Sequence, residues 1–218
     1  MSVMSSLFLQ VQHILFNPLG YMHPTRLDIP EGLVQTDCTK RVVNRLILDS
    51  LALDSEQSDI SINTLRFIKY WDEFENIAWV IGCCLSAPRL TWQGKITHIP
   101  NVARHYFPVK KSDIESVSEP NFSEESVIRL GFTQLYPLVA ELSLSFRQRF
   151  PLLFAPAISD AEPVTSVPVN ASLLNMAVNY VKNNQIVFSR DRHRRHIDYK
   201  GASRSRTRDA GCSGREQD

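Results

Sequence analysis

Along residues 7–16 the apolar positions fall at Leu7, Phe8, Val11, Ile14 and Leu15, the i, i+1, i+4, i+7, i+8 spacing of one helical face, with Ser5 or Ser6 placed to cap it. This pattern predicts a first amphipathic helix. Asn17 followed by Pro18 matches an N-cap with proline at the first helical position, so a short helix should run to about Met22, where His23 and Pro24 stop it. Thr36 or Asp37 then opens a helix with Val42, Val43, Leu46, Ile47 and Leu51 on its apolar face, ending near Ala52.

The middle of the chain reads in the same way. Residues 54–62 are rich in Ser and Asp without periodicity, a surface loop, and Ser61 or Asn63 caps the helix that follows. Leu65, Phe67, Ile68 and Trp71 give that helix an apolar side. Phe74, Ile77, Ala78, Val80, Ile81 and Leu85 continue in a segment apolar nearly all round, as expected of a central buried helix. A shorter helical piece is expected around Leu90 to Ile96, another from Pro100 through Val102, Tyr106 and Phe107, and a polar loop over 108–121.

Ser123, Glu124 and Glu125 place a cap and two carboxylates at the positive end of a helix dipole, ahead of Val127, Ile128, Leu130, Phe132 and Leu135. Pro137 should kink or restart that helix, which then runs through Leu138, Leu142 and Phe146 to Arg149, with Pro151 ending it. Pro156, Pro163 and Pro168 mark an irregular connector, and Pro168 opens a last helix with Leu173, Leu174, Ala177, Tyr180 and Val181 inward. No period-two pattern is sustained anywhere. The chain therefore reads as all-α: a single globular domain of about seven to nine helices over residues 1–188, with at most a short strand pair. Residues 189–218 contain five apolar residues in thirty, too few to repay the entropy of ordering them, and form a disordered Arg-rich tail.

Charge sharpens this division. The formal net charge of +1 hides nine Lys and Arg against five Asp and Glu in the last thirty residues, leaving fifteen against eighteen in the body. A body so nearly balanced has no long-range field to attract DNA or an anionic membrane surface, and no nucleic-acid partner is expected. The most apolar run, Asn76 to Leu85, is bounded by Glu75 and Arg89, too short for a membrane span, so no membrane insertion is expected. The first twelve residues lack the basic start and small-residue cleavage site of a secretory signal, so the chain should stay in the cytosol. Cys38, Cys83, Cys84 and Cys212 form no C-x-x-C pair and read as reduced thiols, the central two filling core space.

Candidate chemistry is sparse. There is no G-x-S-x-G elbow and no phosphate-cradling P-loop, so no catalytic residue and no cofactor site is assigned. His193 and His196 sit among four arginines that repel a divalent cation, and His98 and His105 are separated by Pro100, so no metal ligand is assigned either. Asp72, Glu73 and Glu75 read as a solvated helix face. Arg190 to Arg195 and Arg204 to Arg208 leave a basic-tailed RNA-binding or regulatory protein as the alternative function, although Tyr199 is the tail's one aromatic for base stacking.

One resemblance goes further. The run Phe16-Asn17-Pro18-Leu19-Gly20-Tyr21-Met22-His23-Pro24-Thr25-Arg26-Leu27 resembles the N-terminal signature of the OrgA/MxiK/SctK family of bacterial type III secretion systems. Gln148-Arg149-Phe150-Pro151-Leu152-Leu153-Phe154 matches a second segment, with Ile81-Gly82-Cys83 and Gln93-Gly94 between them. The similarity spans about residues 13–184 and is greatest to the invasion-type OrgA branch, from which the chain departs by continuing past about Phe188. It implies a non-enzymatic cytoplasmic adaptor of the sorting platform, associated with the inner membrane's cytoplasmic face through the secretion apparatus. Its implied partners are an SctD-type inner-membrane ring protein (PrgH/MxiG-like) and an SctQ-type pod protein (SpaO-like), and indirectly the SctL stator and the export ATPase. Within the two signatures, or next to the second in the case of Arg147, Tyr21, His23, Arg26, Arg147 and Arg149 are amphipathic or charged residues of kinds enriched at interface hot spots, and are the expected partner contacts.

Overall fold

In the computed structural model, residues 3–30, 32–56, 62–92, 100–104, 123–160 and 170–184 are described. All belong to one compact unit, Met1–Ile186, and among them there is no strand. The expected tail, the 108–121 loop and the stretch beyond Trp92 as far as residue 99 lie outside the described residues.

Ten α-helical segments follow in order: α1 Val3–Phe16, α2 Pro18–Tyr21, α3 Asp37–Ser50, α4 Ile62–Lys69, α5 Phe74–Trp92, α6 Asn101–Arg104, α7 Glu124–Val139, α8 Leu144–Arg149, α9 Pro156–Ser159 and α10 Ala171–Asn184. Among the described residues three 3-10 turns, Pro24–Arg26, Trp71–Glu73 and Phe150–Leu153, join neighbours. Two helix starts are closed by reciprocal capping boxes. Thr36 caps α3 with Thr39 bonding back, and Ser123 caps α7 with Ser126 doing the same, so hydroxyls replace the usual Glu or Gln partner.

The core is built on α5, and its closest partner is α7. Two glycines set the distance between them. A Cβ on Gly82 would lie 1.9 Å from the Val127 carbonyl oxygen, and one on Gly131 would lie 1.8 Å from that of Ala78. Neither position accepts a side chain, and the two helices meet backbone to backbone. Phe150 stands at the centre of the aromatic packing: it stacks on Phe132 at 5.9 Å and meets Phe67, Trp71 and Phe74 edge-on at 6.2, 6.4 and 5.2 Å. Ile77, Val80 and Ile81 are fully buried, as the apolar run predicts.

The structure departs from the sequence pattern at four places. α1 begins at Val3, so Ser5 and Ser6 lie within the helix, and Phe8 faces outward at 53% exposure. α3 is rotated from its expected face: Val43, Asn44, Ile47 and Leu48 are buried, while Val42, Leu46 and Leu51 are exposed. The rotation brings Asn44 inward to hold α2, and one residue of rotation (100°) carries Val42 and Leu46 out. The expected single helix from Pro137 to Arg149 is two. Pro137 lies in the last turn of α7, which ends at Val139 with the Ala140 amide donating to the Tyr136 carbonyl at 3.1 Å, and the chain turns through Leu142 before Ser143 begins α8. Finally, Glu75 is not on a solvated face. Asp72 and Glu73 are exposed, whereas Glu75 is 6% exposed on the first turn of α5.

Among the described residues no helix is long and apolar enough to cross a membrane.

Candidate functional site

The two signature segments lie against each other. α2 and the following 3-10 turn carry the first, and α8 with the 3-10 turn after it carries the second. Their first link is backbone to backbone: the His23 amide donates to the Leu152 carbonyl at 2.8 Å.

Asn17 starts α2 without capping it, because its side chain is used elsewhere. Its amide group contacts His13 Nδ1 at 3.1 Å, and its oxygen accepts from Asn44 Nδ2 at 2.7 Å. Asn44 Oδ1 in turn accepts from the Leu19 amide at 2.9 Å. A buried Asn on α3 therefore fixes the short helix that no four-residue segment could hold alone.

Tyr21, at the end of α2, is fully buried, its ring edge-on to Trp71 at 5.7 Å. Among the described residues no group bonds its hydroxyl or the Trp71 Nε1 with ordinary hydrogen-bond geometry, although the Arg149 guanidinium lies beside the phenol. Burial pushes the Tyr21 phenol above its ordinary value, and the nearby Arg149 guanidinium opposes the shift.

His23 is also interior. Its Nδ1 lies 2.7 Å from the Thr25 hydroxyl and accepts from the Thr25 amide at 3.3 Å, and its Nε2 lies 3.5 Å from Glu75 Oε1. Both side chains of that pair are 8% exposed, so the first signature is anchored to the start of α5 by a shielded polar contact.

Arg26 reaches across to the second signature. Its Nε donates to the Phe154 carbonyl at 2.7 Å, and its Nη2 donates to the Pro151 carbonyl at 3.1 Å and to the Ser159 hydroxyl, with Asp160 at 3.4 Å. Its side chain is 14% exposed. Arg149 does the reciprocal work, fully buried. Nη2 donates to the Leu15 carbonyl at the end of α1 at 2.9 Å, and Nη1 donates to the Ser145 carbonyl at 2.8 Å and to that of Asp54. Burial lowers its pKa, and the proximity of Tyr21 and Asp54 counters the drop. Next to it Gln148 Oε1 accepts from the Asp54 amide at 2.7 Å, and the Ser145 hydroxyl donates to the Glu56 carbonyl at 2.7 Å.

Of the five residues expected to touch partners, Tyr21, His23, Arg26 and Arg149 thus converge on one interior clasp, and Arg147 alone stands exposed on α8. Sequence reasoning missed the other half of the clasp, Asn44, Asp54, Glu75 and Ser145. The one available signal was a polar residue inside an apolar face, as with Asn44 between Val43 and Ile47.

The polar groups of the clasp are occupied in holding chain segments together. Cys83 and Cys84 are buried, and burial raises both thiols, Cys84 to about 12, which keeps them protonated and unreactive. Among the described residues no three His, Cys, Asp or Glu side chains come together.

Comparison with known proteins gives the clasp its context. The family of bacterial type III secretion apparatus proteins designated OrgA/MxiK matches residues 11–183. The oxygen-regulated invasion protein OrgA of Salmonella typhimurium is 29% identical over 173 residues, 78% of this chain and 86% of that protein. Protein MxiK of Shigella flexneri is 24% identical over 179 residues, 82% of this chain and 92% of its own length. The putative uncharacterized protein YgeO of Escherichia coli K12 is 26% identical over 121 residues, 54% of this chain and 84% of its own. No solved structure matches.

Proposed function

Because the chain belongs to the OrgA/MxiK family of bacterial type III secretion apparatus proteins, we propose that it serves that apparatus as a non-enzymatic adaptor on the cytoplasmic side. In this reading it links an SctD-type inner-membrane ring protein to an SctQ-type pod protein and, through the pod, to the SctL stator and the export ATPase. The observation that carries the reading is the family match over residues 11–183, which contains the whole clasp. An adaptor needs a rigid body with separate outer surfaces. The clasp supplies rigidity by tying α1, α2, the Asp54 segment and α8 through buried hydrogen bonds. The outer faces of α1 and α3 supply apolar anchors, with Leu9 at 63% and Leu46 at 62% exposure, of the kind that protein partners cover.

The test is co-purification from the native host with nuclease treatment. Recovery of both ring and pod proteins, and failure of secretion in a deletion strain, are the expected results. Normal secretion without the protein refutes the reading, and recovery of nuclease-sensitive RNA in place of those proteins replaces it with a regulatory role.

A further inference from the structure

A second surface lies away from the clasp. Between α4 with its following turn and α10 there is a groove of about 450 Å³ whose apolar lining is Phe67, Tyr70, Phe74, Leu174 and Val178. On α10 the lining residues repeat one turn apart, Leu174 with Val178 and Asn175 with Asn179, so the groove runs along about one and a half turns of that helix. Two cations mark its rim. Lys69, from α4, sits 5.7 Å from the centre of the Tyr70 ring, and Lys182, from α10, sits 4.9 Å from it.

Two ammonium groups brought to one ring repel each other and share its limited negative face. Neither lysine enters an ion pair with a described residue. Asp72 and Glu73, both exposed on the turn after Tyr70, pair with neither lysine, and Glu73 accepts from the Asn76 amide at 2.7 Å. The groove therefore combines an apolar floor, an amide pair and a positive rim that the described residues leave without a carboxylate.

We infer that this groove docks a helical segment of a partner protein whose apolar side chains fill the floor and whose flanking carboxylates meet Lys69 and Lys182. Length and charge select this occupant: about one and a half helical turns of parallel lining suit a short amphipathic helix with i, i+3 and i+4 anchors, and two lysines that no described carboxylate pairs select an acidic one. The inference rests on the adaptor reading and gives one of its interfaces a location and a chemistry.

The probe is a synthetic amphipathic helix of about four turns with leucines at the anchor spacing and glutamates beside them, paired with a copy carrying lysines for the glutamates. Fluorescence anisotropy against the full chain should show the acidic peptide binding at least about tenfold tighter. The double variant Lys69→Glu with Lys182→Glu, both exposed positions, should melt like the parent and reverse that preference. Val178→Arg, which fills the floor, should abolish binding of both peptides. Equal affinities, a preference unchanged by the charge reversal, or no binding at all overturns the inference, as does a dimer in sedimentation that only Val178→Arg dissociates. In the native host the double variant should lower secretion. Normal secretion by it, where deletion abolishes secretion, sinks the groove and leaves the adaptor reading standing. Normal secretion in the deletion strain sinks the adaptor reading itself.

Discussion

Arg149 donates from its Nη2 to the backbone carbonyl of Leu15, 134 positions earlier in the chain, at 2.9 Å and with no exposure of the arginine to solvent. A guanidinium in the interior is costly unless most of its donors are used, and here three carbonyls from three separate segments accept from it. The residue joins the end of α1, the Asp54 segment and α8, and Ser145 and Gln148 add further bonds between the last two.

Removing that charge should therefore cost more than a typical core truncation. Arg149→Ala removes the guanidinium from which the Leu15, Asp54 and Ser145 carbonyls accept, and we expect a loss of about 3 to 5 kcal/mol in urea unfolding. Arg149→Lys keeps the charge but cannot span the three acceptors, and should recover only part. An alanine variant as stable as the parent would show that the clasp carries no load.

The α5–α7 contact makes a sharper demand. Gly131→Ala places a methyl group 1.8 Å from the Ala78 carbonyl oxygen, so the helices must separate along the whole central interface. We expect a loss of about 3 kcal/mol or more, seen as a fall in the circular-dichroism melting temperature. The smallest possible addition would then do more damage than most surface replacements.

The phase of α3 can be checked by neighbouring substitutions. Leu46 is 62% exposed and Ile47 is 5% exposed, although the periodicity alone places both inward. Leu46→Glu should change stability by less than about 0.5 kcal/mol, whereas Ile47→Glu buries an unpaired carboxylate and should cost several kcal/mol or unfold the protein. Equal effects would return α3 to the face its sequence suggests.

That pair also shows where the sequence is legible. α5 and the face of α7 are readable because nearly every residue facing the core is apolar, so Ile77, Ile81, Ile128 and Leu135 leave one possible orientation. α3 has apolar residues spread over a wider arc, and its orientation is decided by Asn44, whose partners Asn17 and Leu19 lie 27 and 25 residues away. The signature residues were legible as important and illegible as to role. Tyr21, His23 and Arg149 are residue types common at interfaces, but their fate depends on carbonyls and a Glu75 side chain that only the fold brings near. Periodicity reports which side of an element is apolar, and it cannot report a buried charge with distant partners.

Stability should fall in alkali. The thiols of Cys83 and Cys84 and the phenol of Tyr21 are all raised by burial, Cys84 to about 12, against ordinary values of roughly 9 for a thiol and 10 for a phenol. Each group stays protonated in the folded state while the unfolded chain ionises, so their contribution is complete below about pH 9 and is lost as pH rises toward the folded values. The slope should approach about 1.4 kcal/mol per pH unit for each group in that window. Urea midpoints between pH 8 and pH 11 test this, and Cys84→Ala should flatten the decline by one group's share. A midpoint constant through that range would mean that these groups are open to solvent.

The adaptor reading predicts that binding and folding separate at Arg26 and Arg147. Arg26 is occupied inside the clasp by the carbonyls of Pro151 and Phe154, so Arg26→Glu puts a carboxylate against backbone oxygens and should lower the melting temperature before it affects any partner. Arg147 is exposed on α8, and Arg147→Glu should melt within about 0.5 kcal/mol of the parent. If the α8 surface is one of the two interfaces, this folded variant loses either the ring protein or the pod protein in co-purification and retains the other, because each interface covers its own patch of about 800 Å². Secretion should then fail despite a folded adaptor, since the platform needs both links. Retention of both partners by Arg147→Glu moves the interface elsewhere on the body. Loss of both together would indicate a single shared surface, which a bridge between two assemblies does not have.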